Sequence, residues 1–160
     1  MMSQAMQQPR GRNPVRGKDT VTVLREALIN QLGDMRKVDE FFDNLSKLIK
    51  AGAAKPIQIG NTVFLAFRFN SRAQMLPEGI VEIHMFSAEP FSETAKRMMV
   101  LPNTLRELGY RGFTTYLEDK AMANLLLQMQ KRTGIQGELR QDMELINRKM
   151  KPVYRVEATL

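Results

Sequence analysis

The chain has 160 residues, 43% of them apolar, with eight Phe, twelve Met, no Trp and no Cys. That length suits one domain with its own core, and the lack of any apolar run near about eighteen residues argues against a membrane span. No cysteine and a single histidine exclude disulfides, thiolate chemistry and the usual zinc sites, while a formal net charge of +7 steers acidic partners such as nucleic acid, acidic proteins or anionic membrane surfaces toward the chain.

Residues 1–18 carry Arg10, Arg12, Arg16 and Lys18 without an acid, and Pro9, Gly11, Pro14 and Gly17 punctuate them. Such a composition builds no packed structure of its own, so a basic extended arm (1–18) is expected on a domain of residues 19–160. Either its four cations dock on an acidic surface or it is a solvated tail. It has no apolar signal-peptide core. A cytosolic or virion setting is expected, with no metal and no membrane among the partners.

Asp19-Thr-Val-Thr-Val-Leu-Arg-Glu-Ala27 opens with alternating β-branched residues and reads as a first strand, with a helix capped by Asp19 as the competitor. Gly33-Asp34 then opens an amphipathic helix in which Met35, Val38, Phe41, Phe42, Leu45, Leu48 and Ile49 recur at helical spacing, and Gly52 stops it. Pro56–Ile59, a Gly60-Asn61 turn and Thr62–Phe69 form a hairpin whose second strand puts Val63, Leu65, Phe67 and Phe69 on one face. From Gly79 to Phe86 a strand alternates Val81, Ile83 and Met85 against Glu82, His84 and Phe86.

A helix capped by Ser92 follows and runs toward Gly109, with a kink or break at Pro102. Arg111–Leu117 is the next strand. Asp119 caps a helix with Met122, Leu125, Leu126 and Met129 as its buried stripe, ending near Thr133-Gly134. Residues 135–150 are ambiguous between strand and helix, and a terminal strand begins at Pro152.

This order of elements resembles the Gcn5-related N-acetyltransferase (GNAT) fold, over roughly residues 20 to 160. Val21-Thr-Val-Leu-Arg-Glu-Ala27 looks like the family's first strand. Arg111-Gly-Phe-Thr-Thr-Tyr-Leu-Glu-Asp119 through Lys131-Arg-Thr-Gly-Ile135 looks like its fifth strand and fourth helix. The resemblance implies an α/β fold, a GNAT-like mixed sheet with helices on both faces. Active members hold the pyrophosphate of acetyl-CoA on a glycine-rich turn after the fourth strand, where glycine allows close approach and the following helix end attracts anions.

Here that turn is Ser87-Ala-Glu-Pro-Phe-Ser-Glu-Thr-Ala-Lys-Arg97. Glu89 and Glu93 put negative charge where phosphates would sit, and Pro90 removes a donor. The family's general acid, a Tyr before a Gly-Phe pair, aligns with Gln130. The principal expectation is therefore a non-catalytic module without a cofactor, resembling the degenerate acetyltransferase-like proteins of tailed bacteriophages. It would sit in a larger assembly of virion proteins, in host cytoplasm or virion. The alternative is an acyl-CoA-dependent N-acyltransferase with a diverged cofactor loop. Glu82 or His84 would then deprotonate the amine, and Phe86, Ser87, Ser92, Lys96 and Arg97 would contact acetyl-CoA. A third reading, nucleic-acid binding through the arm, lacks aromatic residues for stacking.

Overall fold

The computed structural model describes residues 18–146 and 148–160. Arg10, Arg12 and Arg16 of the expected arm lie outside the described residues, as do the side chains at 129–131, which include Gln130. The described residues form, in chain order, α1 (Thr20–Leu32), α2 (Met35–Lys50), β1 (Ala54–Ile59), β2 (Thr62–Phe67), β3 (Ile80–Ser87), α3 (Phe91–Glu107), β4 (Gly112–Leu117), α4 (Lys120–Thr133), β5 (Gln136–Ile146) and β6 (Lys149–Thr159).

The first element is a helix, which corrects the expectation of a strand. Asp19 accepts a hydrogen bond from the Thr22 amide at 2.7 Å, satisfying one of the free donors of the first turn. Thr20, Val23, Leu24, Ala27 and Leu28 are all buried, a spacing only a helix can place on one face. Helical burial thus outweighs the local β preference of the Val-Thr-Val run. Gly33, at φ +63°, closes the helix in the left-handed region, and Asp34 caps α2 through the Arg36 amide at 2.9 Å. Val38, Phe42 and Leu45 are the buried residues of α2, whereas Met35 is half exposed at its start.

Two further boundaries differ from expectation. Helix α3 starts at Phe91, directly after Pro90, so Ser92 lies inside the first turn and is not the cap. Pro102 neither ends nor divides that helix, which runs on to Glu107. The ambiguous segment after residue 135 is a strand, because β5 pairs with β6 from Gln136↔Thr159 to Ile146↔Lys149.

The sheet order is β1-β2-β3-β4-β6-β5. Every neighbour is antiparallel except β3 and β4, so the sheet is mixed and carries helices on both faces. Strand β2 is buried on both sides. Val63 and Leu65 pack with Val23, Leu24 and Phe42 of α1 and α2, whereas Phe64 and Ala66 pack with Met98, Leu101 and Leu126 of α3 and α4. No described helix is long and apolar enough to cross a membrane.

Phe42 anchors the α1–α2 layer: it is buried, and the Arg25 guanidinium lies 5.1 Å from its ring centroid. Phe42→Ala is expected to destabilise the fold by about 3 to 5 kcal/mol. Urea unfolding of both proteins measures this, and a loss below about 1 kcal/mol would show that the layer repacks around the gap.

Candidate active site

Alternation along β3 sends Val81 and Ile83 into the α3–α4 core and Glu82 and His84 to the opposite face. On that face α1 and α2 cover the β1–β3 side. Beyond it, pairing sets Thr114 and Tyr116 of β4 opposite Glu157 and Arg155 of β6. Arg140 of β5 lies opposite Arg155, Asp142 opposite Val153 and Glu144 opposite Lys151. One face therefore collects charge from three strands, β3, β5 and β6, around Glu82.

Glu82 is almost fully buried, at 1% exposure. Its Oε2 lies 2.8 Å from Nε2 of His84, whose ring is 30% exposed and stands edge-on to Phe67 and Tyr116. Among the described buried side chains, Oε1 of Glu82 is the polar atom without a hydrogen-bond partner. Nη1 of Arg155 sits 3.6 Å from it, close enough for attraction but beyond hydrogen-bond length. The Arg155 guanidinium bonds Glu144 through Nη2 and Asp142 through Nε at 3.3 Å, and lies over the Tyr116 ring at 5.6 Å. Ser71 donates to Glu144 at 3.0 Å.

Burial pushes the Tyr116 phenol above its ordinary pKa, Glu144 and Glu82 add to the rise, and Arg155 opposes it. It is therefore a protonated donor at neutral pH. The Met143 amide, and after it Arg155, holds Asp142 below the usual carboxylate value. A cavity of about 650 Å³, lined among others by Ser71, Arg72, Thr114, Arg140 and Arg155, opens beside this cluster.

The parallel β3–β4 pairing is short. It runs from Ile80↔Gly112 to Glu82↔Thr114 and then ends, after which the Thr115 hydroxyl donates to the Ile83 carbonyl at 2.7 Å. Met85, Phe86 and Ser87 keep their β2 partners but have no β4 register. The strands part at Glu82. The sheet is therefore open on the β4 side of Met85–Ser87, next to the turn that follows β3.

The turn after β3 is organised differently from its linear reading. Glu89 is turned inward, with Oε1 2.9 Å from Nη2 of Arg97 and Oε2 accepting from Thr62 at 2.7 Å. Burial alone would raise its pKa, but the hydrogen bonds from Arg97 and Thr62 outweigh burial and lower it. Gly60 makes this possible, since at φ +61° a Cβ there would overlap the Arg97 guanidinium. Glu93 pairs with Lys96 at 3.2 Å and Arg97 at 3.8 Å. Both carboxylates are thus met by cations, and the helix start is not the repulsive site that the residue order suggested. Together with the open strand edge and the orphaned Glu82 oxygen, this neutralised turn suits an acyl-CoA.

Of the residues predicted to contact cofactor, Ser87 and Arg97 join one network through Thr62 and Glu89, and Ser92 and Lys96 lie exposed along the start of α3. Phe86 is used in packing instead, with its ring 5.6 Å from that of Phe41. Lys18 pairs with Glu26 at 2.8 Å, and its amide donates to Asn61. Sequence reasoning missed Tyr116, Asp142, Glu144 and Arg155. The alternation of Thr114 and Tyr116 against Phe113 and Thr115 was a usable signal for Tyr116. The other three needed the β5–β6 register.

No family model matches the chain, and no curated protein sequence matches it. Solved structures do. A spermidine N-acetyltransferase mutant from Vibrio cholerae superimposes with a TM-score of 0.52 at 13% identity, over 86% of this chain and 89% of that one. The ribosomal-protein-alanine N-acetyltransferase of Brucella melitensis gives 0.50 at 10% identity, over 88% and 91%. An acetyltransferase of Bacillus subtilis, solved in complex with CoA, gives 0.48 at 12% identity, over 90% and 95%.

The fold is GNAT-like. The neighbours that superimpose at a TM-score of 0.50 or above are N-acetyltransferases, and that finding runs against the principal expectation of a non-catalytic phage assembly module without a cofactor. One physical ground for both expectations, two carboxylates at the cofactor turn, is removed by Arg97, Thr62 and Lys96; the turn still lacks glycine, and Pro90 still withholds an amide there.

Glu89→Gln is expected to cost about 1.5 to 3 kcal/mol of stability near neutral pH. Because the folded carboxyl has a lowered pKa, its contribution is present above the ordinary glutamate range and is lost as pH falls through the folded value. Unfolding at neutral pH and at about pH 2 compares the two states of the group. An equal deficit at both would show that the charge pairing is not the cause.

Proposed function

We propose that this chain transfers an acyl group from acyl-CoA to an amine. The observation that carries this reading is Glu82, a buried carboxylate with an unpartnered oxygen at the point where β3 and β4 part. Acetyl-CoA, when bound, supplies a thioester for the amine to attack. The β4-facing edge of Met85–Ser87 offers backbone groups to an extended chain entering the split. Ser92 and Lys96 lie along the start of α3, where helix amides attract phosphate. Glu82 takes the proton that the amine nitrogen loses as it forms its new bond to the acyl carbon, and the carbon–sulfur bond that breaks in exchange would release the CoA thiolate, which would take a proton. Tyr116, kept protonated by its surroundings, is the proton donor that Gln130 cannot be. The charge of the arm at residues 1–18 supports a secondary proposal, that it steers acidic partners toward the protein.

Calorimetric titration with acetyl-CoA is expected to give micromolar binding, and silence at millimolar ligand would overturn the proposal. Glu82→Gln is expected to keep that binding while lowering acyl transfer to a panel of primary amines by about 10²- to 10⁴-fold. An unchanged rate would remove Glu82 from the base role.

A further inference from the structure

We infer that Arg155, held back by Asp142 and Glu144, is the positioning residue that sets a positive charge beside Glu82 while leaving its Oε1 open. The inference rests on the proposed base role of Glu82. A buried general base has two conflicting needs. Its negative charge must be stabilised against desolvation, yet the oxygen that accepts the proton must keep a free lone pair. A guanidinium in hydrogen-bond contact would meet the first need and defeat the second.

The distances resolve the conflict. On Oε2 the charge is met by a hydrogen bond to His84 at 2.8 Å. On Oε1 it is met only through space, by Nη1 of Arg155 at 3.6 Å. The guanidinium does not close that gap because Nη2 is bonded to Glu144 and Nε to Asp142, while its plane lies over Tyr116. Glu144 is fixed in turn by Ser71 from the loop before β3. Two carboxylates of β5 therefore hold the cation of β6 at arm's length from the carboxylate of β3. The groups facing Glu82 across this site are His84 on its own strand, Tyr116 on β4, Arg155 on β6, and Asp142 and Glu144 on β5.

The test is Glu144→Gln, which keeps the shape and the Ser71 contact but weakens the anchor. Released, Arg155 moves onto Oε1 and caps the base. We expect kcat to fall on the order of 10²-fold, with the KM for the amine and calorimetric acetyl-CoA binding near wild type. Combined with Arg155→Met, the added loss from Glu144→Gln should vanish, because no cation remains to misplace. A structural role would instead give additive losses of activity.

A second readout is independent of turnover. The chain has one histidine, so its ring resonances report the Glu82 carboxylate directly, and they should shift in Glu144→Gln but stay in place for Glu144→Gln on the Arg155→Met background. Full activity in Glu144→Gln, additive losses, or unmoved histidine resonances would each overturn the positioning role. Glu82→Gln separates the two ideas: if it transfers acyl groups at the wild-type rate, the base assignment fails and the positioning role falls with it. If Glu82→Gln is inactive while Glu144→Gln is not, only the positioning role fails.

Discussion

Taking a carboxylate out of water costs several kcal/mol unless opposite charge and hydrogen bonds offset it, and the face of the sheet around Glu82 is organised by that requirement. His84 supplies the hydrogen bond and Arg155 the charge. Arg155 is itself 90% buried by its 10% exposure and needs partners of its own, which Asp142 and Glu144 provide. The β5–β6 register is constrained as a result. A slip of one residue would turn Asp142 and Glu144 to the other face, leaving the guanidinium without the two anchors that hold it off Glu82.

The same site depends on what the helices leave uncovered. Helices α1 and α2 pack their apolar stripes over β1–β3, which seals Glu82 on one side. The loop carrying Ser71 and Arg72 reaches over β5 and β6 on the other. Between them the β3–β4 register ends early, which leaves the sheet open at its edge with both cores packed. The opening is a property of strand pairing and needs no glycine-rich turn.

Much of this was legible in the sequence. Helical spacing in α2, the Gly60-Asn61 hairpin and the alternation of β3 were strong signals, and the last of these put Glu82 and His84 on one face correctly. The first helix was misread because Val21, Thr22 and Val23 favour strand locally, while the evidence for a helix, burial of Val23, Leu24, Ala27 and Leu28 together, exists only once a sheet lies beneath. Glu89 was misread for a related reason. In a linear sequence it is a negative charge at a helix start; in the fold it faces a cation eight residues on and a hydroxyl from β2. Arg155, Asp142 and Glu144 were invisible because nothing in their own segments marks them. Their meaning comes from partners on other strands.

The separation of those partners along the chain has a consequence for how the protein folds. Ser71 and Glu144 meet across 73 positions, and Glu82 meets Arg155 across a comparable span. Closing such long loops is entropically costly and slow compared with forming local helices and hairpins. Helix α2 and the β1–β3 strands draw on contacts much nearer in sequence, so they can condense first with Glu82 still solvated. Docking of the β5–β6 hairpin then both completes the sheet and removes that carboxylate from water, making assembly of the charged face around Glu82 the closing event of folding.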